Sequence, residues 1–177
     1  MKLTLDTYII SDSHFGHDNI IKYCDRPEDH DFLMELYWTS IVAPEDNILH
    51  LGDVMWYKND TPYKDGKTLG EMVRSLPGNK FLIKGNHDKK NNDWWEEIGF
   101  TVVPQRIFFD YGGKVILFTH YPEDRLDIIW DINIHGHIHN NGYKIREENG
   151  RKWINVSVEM MDYTPVKLGD ILKEVVS

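Results

Sequence analysis

Five short polar clusters follow apolar runs along the chain: Asp12-Ser13-His14, Gly52-Asp53, Gly85-Asn86-His87-Asp88, Thr119-His120 and Gly136-His137-Ile138-His139. Carboxylates and imidazoles at the end of a buried run are costly unless something binds them, because burying an unpaired polar group costs roughly 2–7 kcal/mol. The donors on offer are the carboxylates of Asp12 and Asp53, the amide oxygen of Asn86 and the imidazoles of His14, His120, His137 and His139, with no thiolate among them. That mixture of oxygen and nitrogen suits borderline divalent ions such as Mn, Fe, Zn or Co better than Ca or Cu(I). Seven such ligands are too many for one ion and about right for two that share a carboxylate, as in hydrolytic sites whose ions lie about 3.5–4 Å apart. In Asp12-x-His14 and His137-x-His139, alternate residues of an extended segment point the same way, so each pair can meet one centre. The glycines at 52, 85 and 136 let backbone come close at three of the clusters.

To gather these clusters the chain must bring five strand ends to one edge. The repeating order is an apolar β-branched run, a polar cluster and then a segment of helical periodicity, which points to an α/β layered fold. Strands are expected in KLTLDTYIIS, NILHLGDV and KFLIK, each running into a cluster. A helix is expected after Pro27, packing Phe32, Leu33, Leu36, Tyr37 and Ile41 on the sheet, and another in KTLGEMVRSL, closed by Pro77-Gly78. After the short helix WWEEIG, hairpins follow, one turning at Tyr111-Gly112-Gly113 and one at Asn149-Gly150, with strands TVVPQRIFFD, KVILFTH, GYKIREE and RKWINVSV. Strands in both directions under helices imply two packed sheets. Strand ends on one edge of an open α/β sheet converge on a crevice where such folds bind ligands.

At 177 residues the chain is expected to be one domain, 1–177, able to bury a single core. Its net charge of −9, from 29 acidic and 20 basic residues, excludes wrapping an extended nucleic acid, whose phosphates are gripped mainly by Lys and Arg. Cys24 is the single cysteine, so neither an intrachain disulfide nor a thiolate metal cluster can form. The first apolar run is interrupted at Asp6, too short for a spanning helix and without a signal-like cleavage region, so a cytoplasmic protein with no membrane partner is expected.

Taken in order, SDSH, GD, GNHD, TH after an apolar strand and GHIH resemble the calcineurin-like metallophosphoesterases across essentially the whole chain. The resemblance implies an α/β fold, a two-sheet β-sandwich flanked by α-helices, around two divalent metal ions. Mn is favoured there, with Fe, Zn, Co and Ni as the other candidates. Carried over residue by residue, it gives Asp12, His14 and His139 to the first ion, Asn86, His120 and His137 to the second, and Asp53 to both. His87 becomes the histidine that protonates the leaving group or stabilises transition-state charge. The implied chemistry is hydrolysis of a phosphoester by a hydroxide bridging the metals. With two dications facing two carboxylates and a hydroxide, about one positive charge remains, which suits a diester monoanion.

One departure bears on the substrate. Phosphoprotein phosphatases of this superfamily follow the bridging Asp with an Asp-Arg pair that grips phosphate, whereas this chain has Trp56 and Tyr57, and no Arg lies within the five clusters. A dianionic monoester would want an Arg fork. The expected activity is therefore phosphodiester hydrolysis on a small phosphoester, nucleotides included. The alternative is a phosphomonoesterase on a small metabolite or nucleotide, with Lys58, Lys64, Lys89 or Lys90 replacing the Arg. A non-catalytic binding module is disfavoured because no ligand position is lost. Asp88 either orients His87 or caps the next turn. His17 lines the pocket or lies on the surface, His30 is expected at the surface, and His50 and His135 read as core histidines or supports behind the ligands. Trp56 and Tyr57 either stack on a nucleobase or pack under their loop, and Trp94-Trp95 is expected in the core.

Overall fold

Alternation of side chains along short strands builds both layers. The computed structural model describes residues 1–56 and 62–175. Strands β1 (Tyr8–Ile10), β2 (Asn47–His50), β3 (Asn79–Leu82) and β4 (Phe100–Val102) pair in parallel in that order. Strands β5 (Ile107–Tyr111), β6 (Lys114–Phe118), β7 (Ile132–His135), β8 (Ile145–Glu148) and β9 (Arg151–Asn155) form a second sheet in the order β5-β6-β7-β9-β8. In it β6, β7 and β9 are parallel, and β5 and β8 are the antiparallel arms of hairpins at the two edges. The last strand, β10 (Val166–Lys167), returns to the first sheet antiparallel to β1.

Successive residues of a strand face opposite sides, so β1 and β2 serve two cores at once. Ile9 and its register partner Leu49 meet Ile116, Phe118, Ile132, Ile134 and Ile154 of the second sheet, making the sandwich interior. Ile10, Ile48 and Leu82 point the other way, onto helices. Those helices are α1 (Ile20–Cys24), α2 (His30–Ile41), α3 (Leu69–Ser75) and α4 (Asn92–Glu97), while α5 (Leu168–Lys173) inserts Leu168, Ile171 and Leu172 into the sandwich interior. Helix α3 opens with a capping box in which Thr68 and Glu71 each accept the other's backbone N–H. The two-sheet sandwich with flanking helices is thus the fold observed. None of the described helices is long and apolar enough to cross a membrane.

Several expected elements differ in detail. The buried stripe of α2 is His30, Met34 and Trp38, spaced by four, and not the expected Phe32–Leu36–Ile41 set: Phe32 and Leu36 are 46% and 45% exposed whereas Trp38 is 0%. His30 is therefore buried, contrary to the expected surface position. TVVPQRIFFD is not one strand. Its first part joins the parallel sheet as β4, and β5 begins the second sheet beyond Pro104, which has no N–H for a ladder. The Asn149-Gly150 turn is as expected, both residues having positive φ, 52° and 76°. Trp95 is fully buried, and Trp94 packs on the same cluster. Helices α1 and α5 and strand β10 were not anticipated; each is six residues or fewer, too short for a period to show.

The indole of Trp38 fills the core between α2 and the sheet and donates Nε1–H to the Pro77 carbonyl at 2.9 Å. Trp38→Ala should destabilise the protein by about 3–5 kcal/mol through the cavity it opens. Urea unfolding should show this as a lower midpoint at unchanged slope.

Candidate metal centre

Parallel strands put their C-terminal ends on one edge, and all five clusters lie there: past β1, β2 and β3 in one sheet and past β6 and β7 in the other. The turns that leave these strands are unusual. Of nine non-glycine residues with positive φ among the described residues, five are Asp12, His14, Asp53, His137 and His139, all candidate ligands. A left-handed backbone is costly for such residues and persists where the surroundings impose it, typically at functional sites. Close approach is built in as well. A Cβ at Gly85 would collide with the carboxylate of Asp53, and one at Gly136 with Ser11 Oγ and the carboxylate of Asp12.

The result is two groups of donors. Asp12, His14 and His139 offer atoms within 4.8 Å of one another, and so do Asp53, His120 and His137. Asn86 joins the second group, its Oδ1 lying 3.0 Å from His120 Nε2. Asp53 stands between the groups: its Oδ2 is 3.6 Å from His14 Nε2 and 3.4 Å from His120 Nε2, while its Oδ1 accepts the His87 N–H at 2.8 Å. The ring of His87 is 5.2 Å from that of His14. The structure thus brings all seven expected ligand residues and His87 to one place.

Charge and orientation fit a cation. His120 Nδ1 lies 2.8 Å from the Leu51 carbonyl, which fixes Nδ1 as the donor and turns Nε2 inward as a lone pair. Burial would raise the pKa of Asp53, but the neighbouring imidazoles of His120 and His14 and the His87 backbone N–H together outweigh that and hold the carboxyl below the usual range. Burial works against a charged His139 ring, yet Cys24, Glu159 and Asp12 outweigh it and push its pKa up to about 10. Burial lowers the pKa of His14 and of His137, keeping their lone pairs available. Asp12 Oδ1 and both ring nitrogens of His14 are buried without a hydrogen-bond partner, which fits donors meant for a metal.

Behind the ligands lie residues that the sequence did not disclose. The buried guanidinium of Arg26 donates to the carbonyls of Asp12 at 2.6 Å and Ser13 at 2.7 Å and, through Nε and Nη2, to Glu159 Oε1. The same oxygen of Glu159 accepts from His139 Nδ1 at 2.9 Å, leaving Nε2 to face the site. Ser157 Oγ donates to Asp12 Oδ2 at 3.0 Å. Cys24, His139 and Glu159 also lie close together, but Glu159 is already committed to Arg26 and His139, so this trio supports His139. These partners are separated by up to 145 positions, and no spacing rule links Arg26 to Glu159.

The remaining candidates find their places. Asp88 accepts the backbone N–H groups of Gly85, Asp53 and Val54 at 2.7–3.1 Å, so it buckles two ligand loops together. Burial raises its pKa to about 6. His50 bonds Ser13 Oγ at 2.9 Å, and His135 Nδ1 bonds the Gly136 carbonyl at 2.8 Å; both are supports behind the ligand loops. His17 lines the site's edge, stacked on Trp56 with centroids 4.3 Å apart. Of the four lysines, Lys89 lines a cleft beside His87, while Lys64 lies over Phe32 and Tyr63 and Lys90 over Trp94. Tyr57 and Lys58 lie outside the described residues.

Comparison with known proteins agrees with this geometry. Residues 5–164 match the calcineurin-like phosphoesterase family, and the chain belongs to it. The chain is 36% identical to the uncharacterized protein MJ1445 of Methanocaldococcus jannaschii over 94% of this chain and 89% of that one. It is 30% identical to the Gene 66 protein of Mycobacterium phage L5 over 76% and 77% of the two chains. Among solved structures, the protein of unknown function AQ665 from Aquifex aeolicus superposes with a TM-score of 0.72 at 27% identity, covering 96% of this chain and 98% of that one. Membership of the family makes this chain a metal-dependent phosphoesterase.

The Glu159 carboxylate touches both Arg26 and His139, so Glu159→Ala should lower divalent-metal affinity about 10–100-fold, the usual cost of losing a ligand's orienting partner. Calorimetric titration of metal-stripped protein with Mn²⁺ measures it. The conservative Glu159→Gln, which keeps an acceptor oxygen, should recover most of the loss.

Proposed function

We propose that this chain is a single metallophosphoesterase domain that hydrolyses phosphodiesters at a two-metal centre. Asp12, His14 and His139 would hold one ion, Asn86, His120 and His137 the other, and Asp53 both. The observation that carries the reading is the position of Asp53 Oδ2, 3.6 Å from a histidine of one group and 3.4 Å from a histidine of the other. When bound, the ions supply charge to neutralise phosphoryl oxygens and to make water acidic near neutral pH. These mixed N and O donors suit borderline divalent ions; Mn is favoured by the family resemblance, with Fe, Zn, Co and Ni next.

The protein's own residues do the rest. Asp53 Oδ1 takes the backbone N–H of His87, so the carboxylate that joins the two groups also sets where His87 begins. The imidazole of His87, partly exposed at the mouth, is placed to give a proton to the departing alkoxide. Asp88 locks the loops of Asp53 and His87 at fixed separation. The buried guanidinium of Arg26 is spent on Glu159 and the Asp12 and Ser13 carbonyls, so it offers no fork to a dianion. That favours a singly charged diester. A second reading, a phosphomonoesterase, is favoured by Lys89 alone, whose ammonium could meet an extra charge near His87.

Metal-stripped protein refilled with Mn²⁺ should bind two ions per chain and cleave bis-p-nitrophenyl phosphate much faster than p-nitrophenyl phosphate. His87→Ala should lower kcat about 10²–10⁴-fold, the range for a lost general acid, with metal content unchanged. Faster monoester cleavage would shift the assignment to the second reading. Two bound ions with neither ester touched would refute both.

A further inference from the structure

A cleft of about 280 Å³ opens beside His87, lined by Met55, Trp56, His87 and Lys89. Its walls are aromatic and aliphatic where the rest of the site is ionic. The indole of Trp56 is half-buried and, among the described residues, belongs to none of the apolar clusters that make the core. It is nevertheless held in place. Its ring lies flat on that of His17, centroids 4.3 Å apart and planes 15° from parallel, and the His17 ring lies 5.7 Å from that of the ligand residue His14. The Trp56 backbone N–H donates to the Phe15 carbonyl at 2.8 Å, tying this residue's main chain to the loop that carries His14. On its other flank the indole is 5.8 Å from the ring of His87.

An indole kept out of the core yet oriented by stacking is built to present a surface, and the surface it presents adjoins the residue that faces the leaving group. Flat rings stack on indole whatever their substituents, because each has a π-face, whereas a sugar or alkyl chain gains only partial contact. Met55, buried at the base of the cleft, adds a polarizable thioether that favours a ring edge. Lys89, exposed at its rim, supplies a donor for a ring carbonyl.

On the reading of the site as a phosphoesterase, we propose that the Trp56–His17 pair is a specificity platform for a flat aromatic ring carried by the substrate. The phosphoester group sits at the metal ligands, and the ring stacks at Trp56 beside His87. A nucleobase and a simple aryl group share this chemistry.

Calorimetric titration of the Mn²⁺-loaded protein with adenosine 5′-monophosphate and ribose 5-phosphate isolates the ring, since the two differ only by the base. Phenyl phosphate against methyl phosphate tests an aryl group directly on phosphorus. The wild type should bind a ring-bearing member at least about tenfold more tightly than its ringless partner, the size of one base–aromatic stack. Trp56→Ala should erase that preference and leave ribose 5-phosphate affinity and Mn²⁺ content unchanged, and Trp56→Phe should restore most of it. A preference in the first pair alone identifies a nucleobase, and in the second alone an aryl ester. Equal binding within both pairs would overturn the platform while leaving the phosphoester site standing, as would a preference that survives Trp56→Ala. If no phosphate binds although Mn²⁺ does, the platform is overturned, and the phosphoesterase reading falls with it where bis-p-nitrophenyl phosphate also stays uncleaved.

Discussion

A carboxylate 1% exposed and surrounded by imidazoles organises this molecule. Asp53 would be expensive to bury ionised without partners, and each of its oxygens has a separate duty. Oδ1 takes the N–H of His87, and Oδ2 lies between His14 and His120. Meeting both duties requires β1, β2 and β3 to end level with one another and β6 to deliver His120 from the opposite sheet. The parallel registers Ile10 with His50 and His50 with Leu82 provide the first condition, and the shared interior of Ile9, Leu49, Phe118 and Ile134 provides the second. Gly85 is the consequence in covalent terms, because any side chain there would occupy the space of the Asp53 carboxylate.

What lies behind the ligands extends the same logic. A loop with left-handed residues at Asp12 and His14 exposes carbonyls that a strand would have paired, and buried carbonyls need donors. Arg26 supplies two to adjacent carbonyls and neutralises Glu159, which in turn sets the tautomer of His139. A lysine could not do this, since it lacks the planar fork that reaches several acceptors at once. The strained backbone of the first cluster is thus held by one guanidinium, and the strained residues are the ones whose side chains must converge.

The candidate ligands were legible in the sequence because chemistry restricts such donors to few residue types and strand ends restrict them to few places. His14, Asn86 and His137 could be named from cluster order alone, and two sheets followed from apolar runs separated by turn residues. The face of α2 was misread because Phe32, Leu36 and Ile41 outnumber Met34 and Trp38 as apolar residues; volume decided the matter, and the larger indole is inside. Arg26 and Glu159 were hidden for a different reason. Their contact spans 133 positions and is created by the fold, so neither has a local pattern to read. Asp88 was seen but its partners were not, since an Asp that accepts three backbone amides looks, in sequence, like any turn Asp.

Electrostatics and shape then divide the work of selecting a substrate. The chain carries a net charge of −9, so most of its surface repels a polyanion, and its one site-bound guanidinium is turned inward. Positive potential at the proposed centre would come mainly from bound ions, with Lys89 at the rim, and the acidic surroundings would confine it to the mouth. A potential so confined recognises a phosphoryl group but says little about what the phosphoryl group is attached to. That discrimination must come from whatever borders the leaving group, and on the proposed reading the border is His87, Met55, Trp56 and Lys89, with no arginine fork among them. Apolar contact distinguishes substituents by shape where charge cannot, so exchanging an arginine fork for an indole exchanges grip on phosphate for choice of what it esterifies.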